Sequence, residues 1–325
     1  MQKPARPATR ITIAILVHAP YLSGFYRGKL DVIRLCLSSV VEHSEGEFDL
    51  LVLDNGSCRP VAEFLDQELT DGRIRYLLRS RSNLGVIGGF SILFRAAPGE
   101  IVAYSDDDVF FYPGWLRAQL RILEAFPKVG MVSGLPVRGQ LDRGISSNLA
   151  FARSRPGATM RRGRFIPDEL ELEFVESTGR DLGTYRDETS QLEDIVLEFR
   201  GVSAFGAATH FQFLAPWHVM DQALRGPWTG SIMGGLSELD SRIDDLGYLR
   251  LSTLDRYVRH MGNVITPALA AEARRYGLEA PESAAPVQVV MLGRRLAEVP
   301  WIRGKMHAVY SRMHGLLRLS EGRDD

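Results

Sequence analysis

Apolar and polar positions alternate between two rhythms along the first third of the chain. Ile11–Val17 is an almost unbroken β-branched and aliphatic run, the pattern of a strand buried on both faces of a parallel sheet. Leu30, Ile33, Leu37 and Val40 then recur at helical spacing. The cycle repeats with a strand over 48–53, a helix over 60–69, a strand over 73–78, a Gly-rich helix start over 86–90 and a strand over 101–104. Such alternation predicts a doubly wound, mostly parallel α/β sheet flanked by helices, with right-handed crossovers. In that architecture ligands bind along the edge formed by the C-terminal ends of the strands. His18, Asp54, Asn83 and Asp106 all fall on that edge, so a single crevice can hold them.

Past residue 110 the pattern is less regular. A helix is expected over 115–126 and a strand over 129–135. Residues 138–200 are charge-rich and broken by Gly and Pro, with a basic Arg161-Arg162-Gly163-Arg164 patch and an acidic run over 168–176. They read as an insertion crossing the face of the crevice, partly mobile. Strong apolar pattern returns over 202–214. Ser237-Glu238-Leu239-Asp240 has the form of a capping box and predicts a helix from about Ser237 that ends by Gly247. A strand follows over 248–252, with helices over 268–276, 287–297 and 301–319. The chain thus divides into a lead-in over 1–10, an α/β half over 11–135, a second half over 136–266 and a helical extension over 267–325.

Composition narrows the partners. With 39 basic and 40 acidic residues the net charge is -1, so no global field draws the protein toward nucleic acid. The two cysteines, Cys36 and Cys58, form neither a metal-ligand spacing nor a disulfide framework, which fits a reducing cytoplasm. No apolar run reaches the roughly 18 residues of a membrane span, and the first residues lack the order of a signal peptide. Residues 1–10 are expected to be disordered.

The chemistry concentrates at Asp106-Asp107-Asp108, which follows the apolar run over 101–104. Three adjacent aspartates repel one another, so a purely structural turn is the poorer explanation. Hard oxygen donors at alternate positions suit Mg²⁺ or Mn²⁺ bridged to a substrate's phosphates. Gly88-Gly89 opens a helix, but the dinucleotide pattern Gly-x-Gly-x-x-Gly is absent.

The order of motifs adds a second line. A strand ending at His18-Ala19-Pro20, then Asp54-Asn55-Gly56-Ser57, Asn83-Leu84-Gly85, Ser105-Asp106-Asp107-Asp108 and Pro113-Gly114-Trp115-Leu116 resembles a family 2 glycosyltransferase of the GT-A fold over roughly residues 10–263. That resemblance implies a sheet half, residues 11–135, that binds a nucleotide sugar, and an acceptor-side half after it. It implies that Asp54 hydrogen-bonds the base, with the backbone of His18, Ala19 and Pro20 lining the same pocket and Asn83 beside base and ribose. Asp106 would touch the ribose or the metal, and Asp108 would bind Mn²⁺ or Mg²⁺ on the diphosphate. Asp107 either joins the nucleotide-sugar contacts or points back into the sheet. His260, in a segment resembling the family's terminal His-x-Gly, would complete the metal shell or bond a phosphate.

The family's general base usually comes from an adjacent Glu-Asp pair about ten residues before a Gly-Tyr. Here Gly247-Tyr248 is present but the pair is missing, and Glu-Leu-Asp stands near its place. The base is left between Asp240, favoured by residue type, and Glu238, favoured by register. His210 falls where the family places a segment beneath the acceptor; by itself it reads as a half-buried core residue. Trp217 and Trp228 suit either a sugar ring or core packing. The basic amphipathic segment over 301–319 suits an anionic membrane and a lipid-linked acceptor, or packing on its own domain or on a second subunit in a homodimer.

The implied activity is metal-dependent, inverting transfer from a UDP- or dTDP-sugar to the hydroxyl of a glycan or lipid-linked acceptor. Two readings compete. A sugar-phosphate nucleotidyltransferase would carry a Gly-rich basic loop after the first strand, and His18-Ala19-Pro20-Tyr21-Leu22 is not one. A non-catalytic nucleotide-sugar-binding subunit would account for the missing Glu-Asp pair.

Overall fold

The computed structural model describes residues 10–141, 144–228 and 235–281. The lead-in before Arg10 and the helices expected over 287–297 and 301–319 lie outside the described residues. Strands β1 (Ile11–Val17), β2 (Asp49–Asn55), β3 (Tyr76–Ser80) and β4 (Ile101–Asp106) alternate with helices α1 (Lys29–His43), α2 (Arg59–Thr70) and α3 (Gly85–Ala96). The four strands pair in parallel in the order β3-β2-β1-β4. Both faces are covered. One side packs Ile13, Ile15, Val32, Leu65 and Leu269; the other packs Leu16, Phe90, Tyr104, Phe213, Leu239 and Ile243. Gly89 lets α3 lie this close to β1, because a Cβ there would stand 2.6 Å from a Leu16 methyl. The Gly-Gly pair is therefore a packing feature.

The chain continues through β5 (Val109–Phe111), α4 (Trp115–Ala125) and β6 (Val129–Ser133). Residues 138–200 hold α5 (Ser146–Ser154), β7 (Thr159–Gly163), α6 (Asp168–Ser177), α7 (Leu182–Thr189) and β8 (Asp194–Phe199). After them come β9 (Val202–Phe205), β10 (Gln212–Pro216), α8 (Trp217–Ala223), α9 (Leu236–Asp245), β11 (Leu249–Ser252), β12 (Val258–His260) and α10 (Pro267–Arg275). Two of these pairings build the site. Strand β10 runs antiparallel between β4 and β6, so the Asp106 N–H donates to Phe211 C=O at 2.8 Å. Strand β12 pairs antiparallel with β5, setting His260 opposite Val109. Strand direction depends on how the chain returns to the sheet, and a short apolar run reads the same either way.

Two expectations need correction. The 138–200 stretch, read as an insertion crossing the face of the crevice, is in part built into the sheet itself: β7 and β8 form its end in the order β11-β9-β8-β7. Arg138 fastens it from within. Fully buried, it donates from Nε to Asp194 at 2.8 Å and pairs with Glu171 on α6, while Asp194 also accepts the N–H groups of Phe165 and Ile166. The capping box also fails to form. Helix α9 begins at Leu236 behind Gly235, whose φ of 97° and lack of a side chain make it the N-cap without a side-chain bond. Among the described residues, no helix is long and apolar enough to cross a membrane.

Candidate active site

Three strand ends are joined by one polar network. His18 follows β1, Asn55 ends β2 and Asn83 lies in the turn into α3. His18 Nδ1 is 3.0 Å from Asn55 C=O, and His18 Nε2 is 3.1 Å from Asn83 Nδ2. Both contacts are satisfied when Nδ1 carries the proton and Nε2 accepts. Asn55 donates to Asn83 Oδ1 at 3.1 Å and accepts the Leu84 N–H at 2.9 Å. The Ala19 N–H donates to Ser57 Oγ, and its carbonyl accepts the Cys58 N–H. Asp54 is buried; it accepts the Ser57 N–H at 2.9 Å and faces Arg79 at 3.6 Å. Its carboxylate therefore closes the turn at the crevice edge. Asn55, at the centre of the network, was not singled out from sequence.

The aspartate triplet is internally compensated. Asp107 accepts the His18 N–H at 2.9 Å and pairs with Lys29 Nζ at 2.7 Å. The same ammonium lies 3.1 Å from Asp108 Oδ2. Asp107 thus faces inward, and Lys29, at the start of α1 and 4% exposed, is a site residue that sequence reading missed. Asp106 reaches the other way, to the Tyr104 hydroxyl. Burial, then Asp108, push the Asp106 carboxyl well up, against the Tyr104 hydrogen bond. Burial likewise raises Asp107, with Lys29 offsetting part of the effect. Burial acts to raise Asp108 too, but the Lys29 ammonium works against it by charge and hydrogen bond, and Asp108 lies below the usual carboxylate range.

His260 faces the third aspartate. Its Nε2 is 3.5 Å from Asp108 Oδ1, and that oxygen is buried without a hydrogen-bond partner. On the far side Nδ1 is 2.9 Å from Ser177 Oγ, and the Ser177 hydroxyl donates to Phe174 C=O at 2.7 Å. Ser177 therefore accepts from Nδ1–H, which leaves the Nε2 lone pair directed toward Asp108. Burial lowers the imidazole below its ordinary value, so the neutral form is favoured. The rings of Phe174 and Phe211 pack edge-on against it. Through Ser177 and Phe174, helix α6 of the 138–200 stretch fixes this histidine.

Gly262 permits that approach. Its φ is +67°, and a Cβ would stand 2.5 Å from Ser177 C=O. The Gly262→Ala substitution is expected to cost about 1–3 kcal/mol, read by urea denaturation. Wild-type stability in that variant would show that α6 does not press on this segment.

An oxygen and an unprotonated nitrogen facing each other suit a divalent cation. No cluster of three or more His, Cys, Asp or Glu able to hold a metal is found among the described residues. The donor set fits a metal that takes its remaining ligands from phosphate and water.

Asp240 and Glu238 lie on α9 but point apart, because residues two positions apart on a helix sit about 200° around its axis. Asp240 is fully buried, its Oδ1 held by Arg250 at 2.6 Å and His210 at 2.7 Å. Glu238 pairs with Arg242 at 2.5 Å, and the Arg242 guanidinium lies 4.0 Å over the Trp228 ring. Trp217 donates to Phe94 C=O at 2.7 Å. Both tryptophans are thus engaged within the protein.

The model of glycosyl transferase family 2 matches residues 25–174. An uncharacterized glycosyltransferase of Rickettsia felis is 28% identical over 88 residues, spanning 27% of this chain and 14% of that relative. Among solved structures, a mannosyltransferase of Pyrobaculum calidifontis in complex with GDP-Man and Mn²⁺ superposes with a TM-score of 0.48 at 16% identity, covering 84% of this chain and 61% of that one. GalNAc-T7 with UDP, GalNAc and Mn²⁺ gives 0.46 at 14% identity, over 77% and 43%. This chain thus spans less than two thirds of each relative's length: 14%, 61% and 43%.

Proposed function

We propose that this chain, a family 2 glycosyltransferase by its domain at residues 25–174 and of GT-A type in its α/β sheet, moves a sugar from a nucleotide diphosphate to an acceptor hydroxyl with a divalent cation at Asp108 and His260. One observation carries the metal assignment. Asp108 Oδ1 is buried without a hydrogen-bond partner and lies 3.5 Å from a histidine nitrogen whose tautomer leaves a lone pair there. Mn²⁺ or Mg²⁺, when bound, would neutralise charge on the departing diphosphate.

The chain's own residues account for the rest. His18, Asn55 and Asn83 form a stiff floor at the sheet edge on which the base and ribose rest, with Asp54 at its rim. Asp106, held by Tyr104, faces the ribose side. Lys29 fixes Asp107 and one oxygen of Asp108, so that the other oxygen remains for the cation. A uridine or thymidine donor and a glycan or lipid-linked acceptor fit this reading, and inversion follows from the family.

The test is a thermal-shift panel of UDP, dTDP and GDP on the full chain, with and without Mn²⁺. A diphosphate shift that needs Mn²⁺ is expected, and Asp108→Ala should abolish the Mn²⁺-dependent part of the shift measured against that variant's own metal-free melting point. An undiminished Mn²⁺ response in that variant would remove the metal from this site. Pyrophosphate release from a nucleoside triphosphate would favour nucleotidyl transfer instead. Nucleotide binding without turnover of any donor would favour a binding subunit.

A further inference from the structure

Glycosyl transfer requires a group that takes the proton from the incoming hydroxyl, and neither acid of α9 is placed to do so. Asp240 is fully buried, and its Oδ1 is shared by two donors. Glu238 is bound to Arg242, which in turn donates to the carbonyls of Arg225 and Pro227. The residue that opens outward from this cluster is His210.

Its Nε2 lies 2.7 Å from Asp240 Oδ1. Asp240 Oδ1 also faces the Arg250 guanidinium, which only donates, at 2.6 Å, so Oδ1 is an acceptor. Nε2 therefore carries the proton, and in the neutral imidazole Nδ1 bears the lone pair. Nδ1 makes no hydrogen bond to any described residue, and the side chain keeps 14% of its surface exposed. Arg250, itself fully buried, locks Asp240 in place by donating also to Ala208 C=O at 3.1 Å and Gly144 C=O at 3.3 Å.

The location is the right one. His210 directly precedes Phe211, whose carbonyl accepts the Asp106 N–H. Asp106 turns to Tyr104, which packs with Phe213 in the same apolar cluster as Leu239 and Ile243 of α9. His210 and Asp106 therefore emerge on one side of the sheet, at the same strand end.

We infer that His210, oriented by Asp240, is the proton acceptor for the incoming hydroxyl. This rests on the glycosyl-transfer reading above. As the hydroxyl oxygen bonds to the anomeric carbon, the bond from that carbon to the diphosphate oxygen breaks, and its electron pair leaves with the nucleoside diphosphate. The hydroxyl proton passes to His210 Nδ1. Asp240 faces the resulting imidazolium across the Nε2–H bond and is a positioning residue.

The experiment measures nucleoside diphosphate release by the full chain from a panel of UDP-, dTDP- and GDP-sugars, water serving as acceptor, with Mn²⁺ present. His210→Ala and His210→Gln are expected to lower release about 10²–10⁴-fold while keeping the Mn²⁺-dependent UDP, dTDP or GDP melting shift. Added imidazole is expected to restore part of the His210→Ala rate, which a merely structural histidine would not allow. Wild-type release in both variants, or a loss that accompanies loss of the nucleotide shift, overturns the assignment of His210. No release by the wild type from any donor overturns the glycosyl-transfer reading, and the dyad's role with it.

Discussion

Replacing Lys29 by methionine is expected to destabilise the protein by about 3–5 kcal/mol near neutral pH, the usual cost of removing one partner from a buried ion pair. Its ammonium sits 2.7 Å from Asp107 and 3.1 Å from Asp108 with a side chain only 5% exposed. Methionine fills a similar volume, so the loss reports charge rather than a cavity. The pH dependence has a definite sign. In the wild type the Lys29 pKa is raised, burial being outweighed by Asp107 and Asp108. Its contribution is therefore fully present below the ordinary lysine value and fades only in strong alkali.

In the variant, burial and mutual repulsion act on the aspartates without their counter-ion, so the folded state binds more protons than the unfolded chain. Linkage then makes the deficit largest near neutrality and smaller on acidification toward pH 5. Urea denaturation of both proteins at pH 5 and pH 7.5 measures it. A deficit of equal size at both pH values would mean that Lys29 is not the counter-ion of the triplet. On the proposed reading, Mn²⁺ with UDP or dTDP recovers part of the loss, because a divalent cation supplies positive charge at the same carboxylates.

The second large effect lies away from the crevice. Arg138→Met is expected to cost about 3–5 kcal/mol, since it leaves Glu171 and Asp194 buried without their cation. Asp194 would keep the N–H bonds of Phe165 and Ile166, and Glu171 would keep the Tyr185 hydroxyl at 2.9 Å. Neither set replaces the missing charge. Adding Asp194→Asn to the variant should restore part of the stability, a non-additivity that a double-mutant cycle resolves. A loss below about 1 kcal/mol would place this cluster with exposed ion pairs, which contribute little. Glu171 lies on α6, which also carries Ser177, so loosening this clamp should weaken the Mn²⁺-dependent nucleotide shift as well.

The contrast between Lys29 and Asp108 marks what could be seen beforehand. Asp108 belongs to a run of three acids after a buried strand, a local oddity that calls for a cation. Lys29 is one basic residue at the start of an ordinary amphipathic helix, where solvent exposure is the default expectation. Nothing near it in the chain signals burial, because its partners lie 78 and 79 positions away. Asn55 was hidden for a similar reason: beside Asp54 and Gly56 it looks like turn chemistry, and its bonds to Asn83 and Leu84 arise only when β2 and β3 pair. The two acids of α9 show what spacing leaves open. Residue type and register favoured two acids, Asp240 and Glu238, and the helix turned one inward onto Arg250 and the other onto Arg242.

By itself, then, the sequence determined the alternation of buried strands and amphipathic helices, and with it the edge where the acids collect. Those features follow from periodicity and from how a right-handed crossover must pack, both of which are local. Only the tertiary structure decided that β10 runs antiparallel beside β4 and that β12 joins β5. Those two pairings bring Phe211, the neighbour of His210, against Asp106 and His260 against Asp108, while docking of α1 brings Lys29. Hydrogen bonds and charge pairs depend on distances of a few ångströms between residues as far apart in the chain as Asp108 and His260, and no spacing along the chain encodes them.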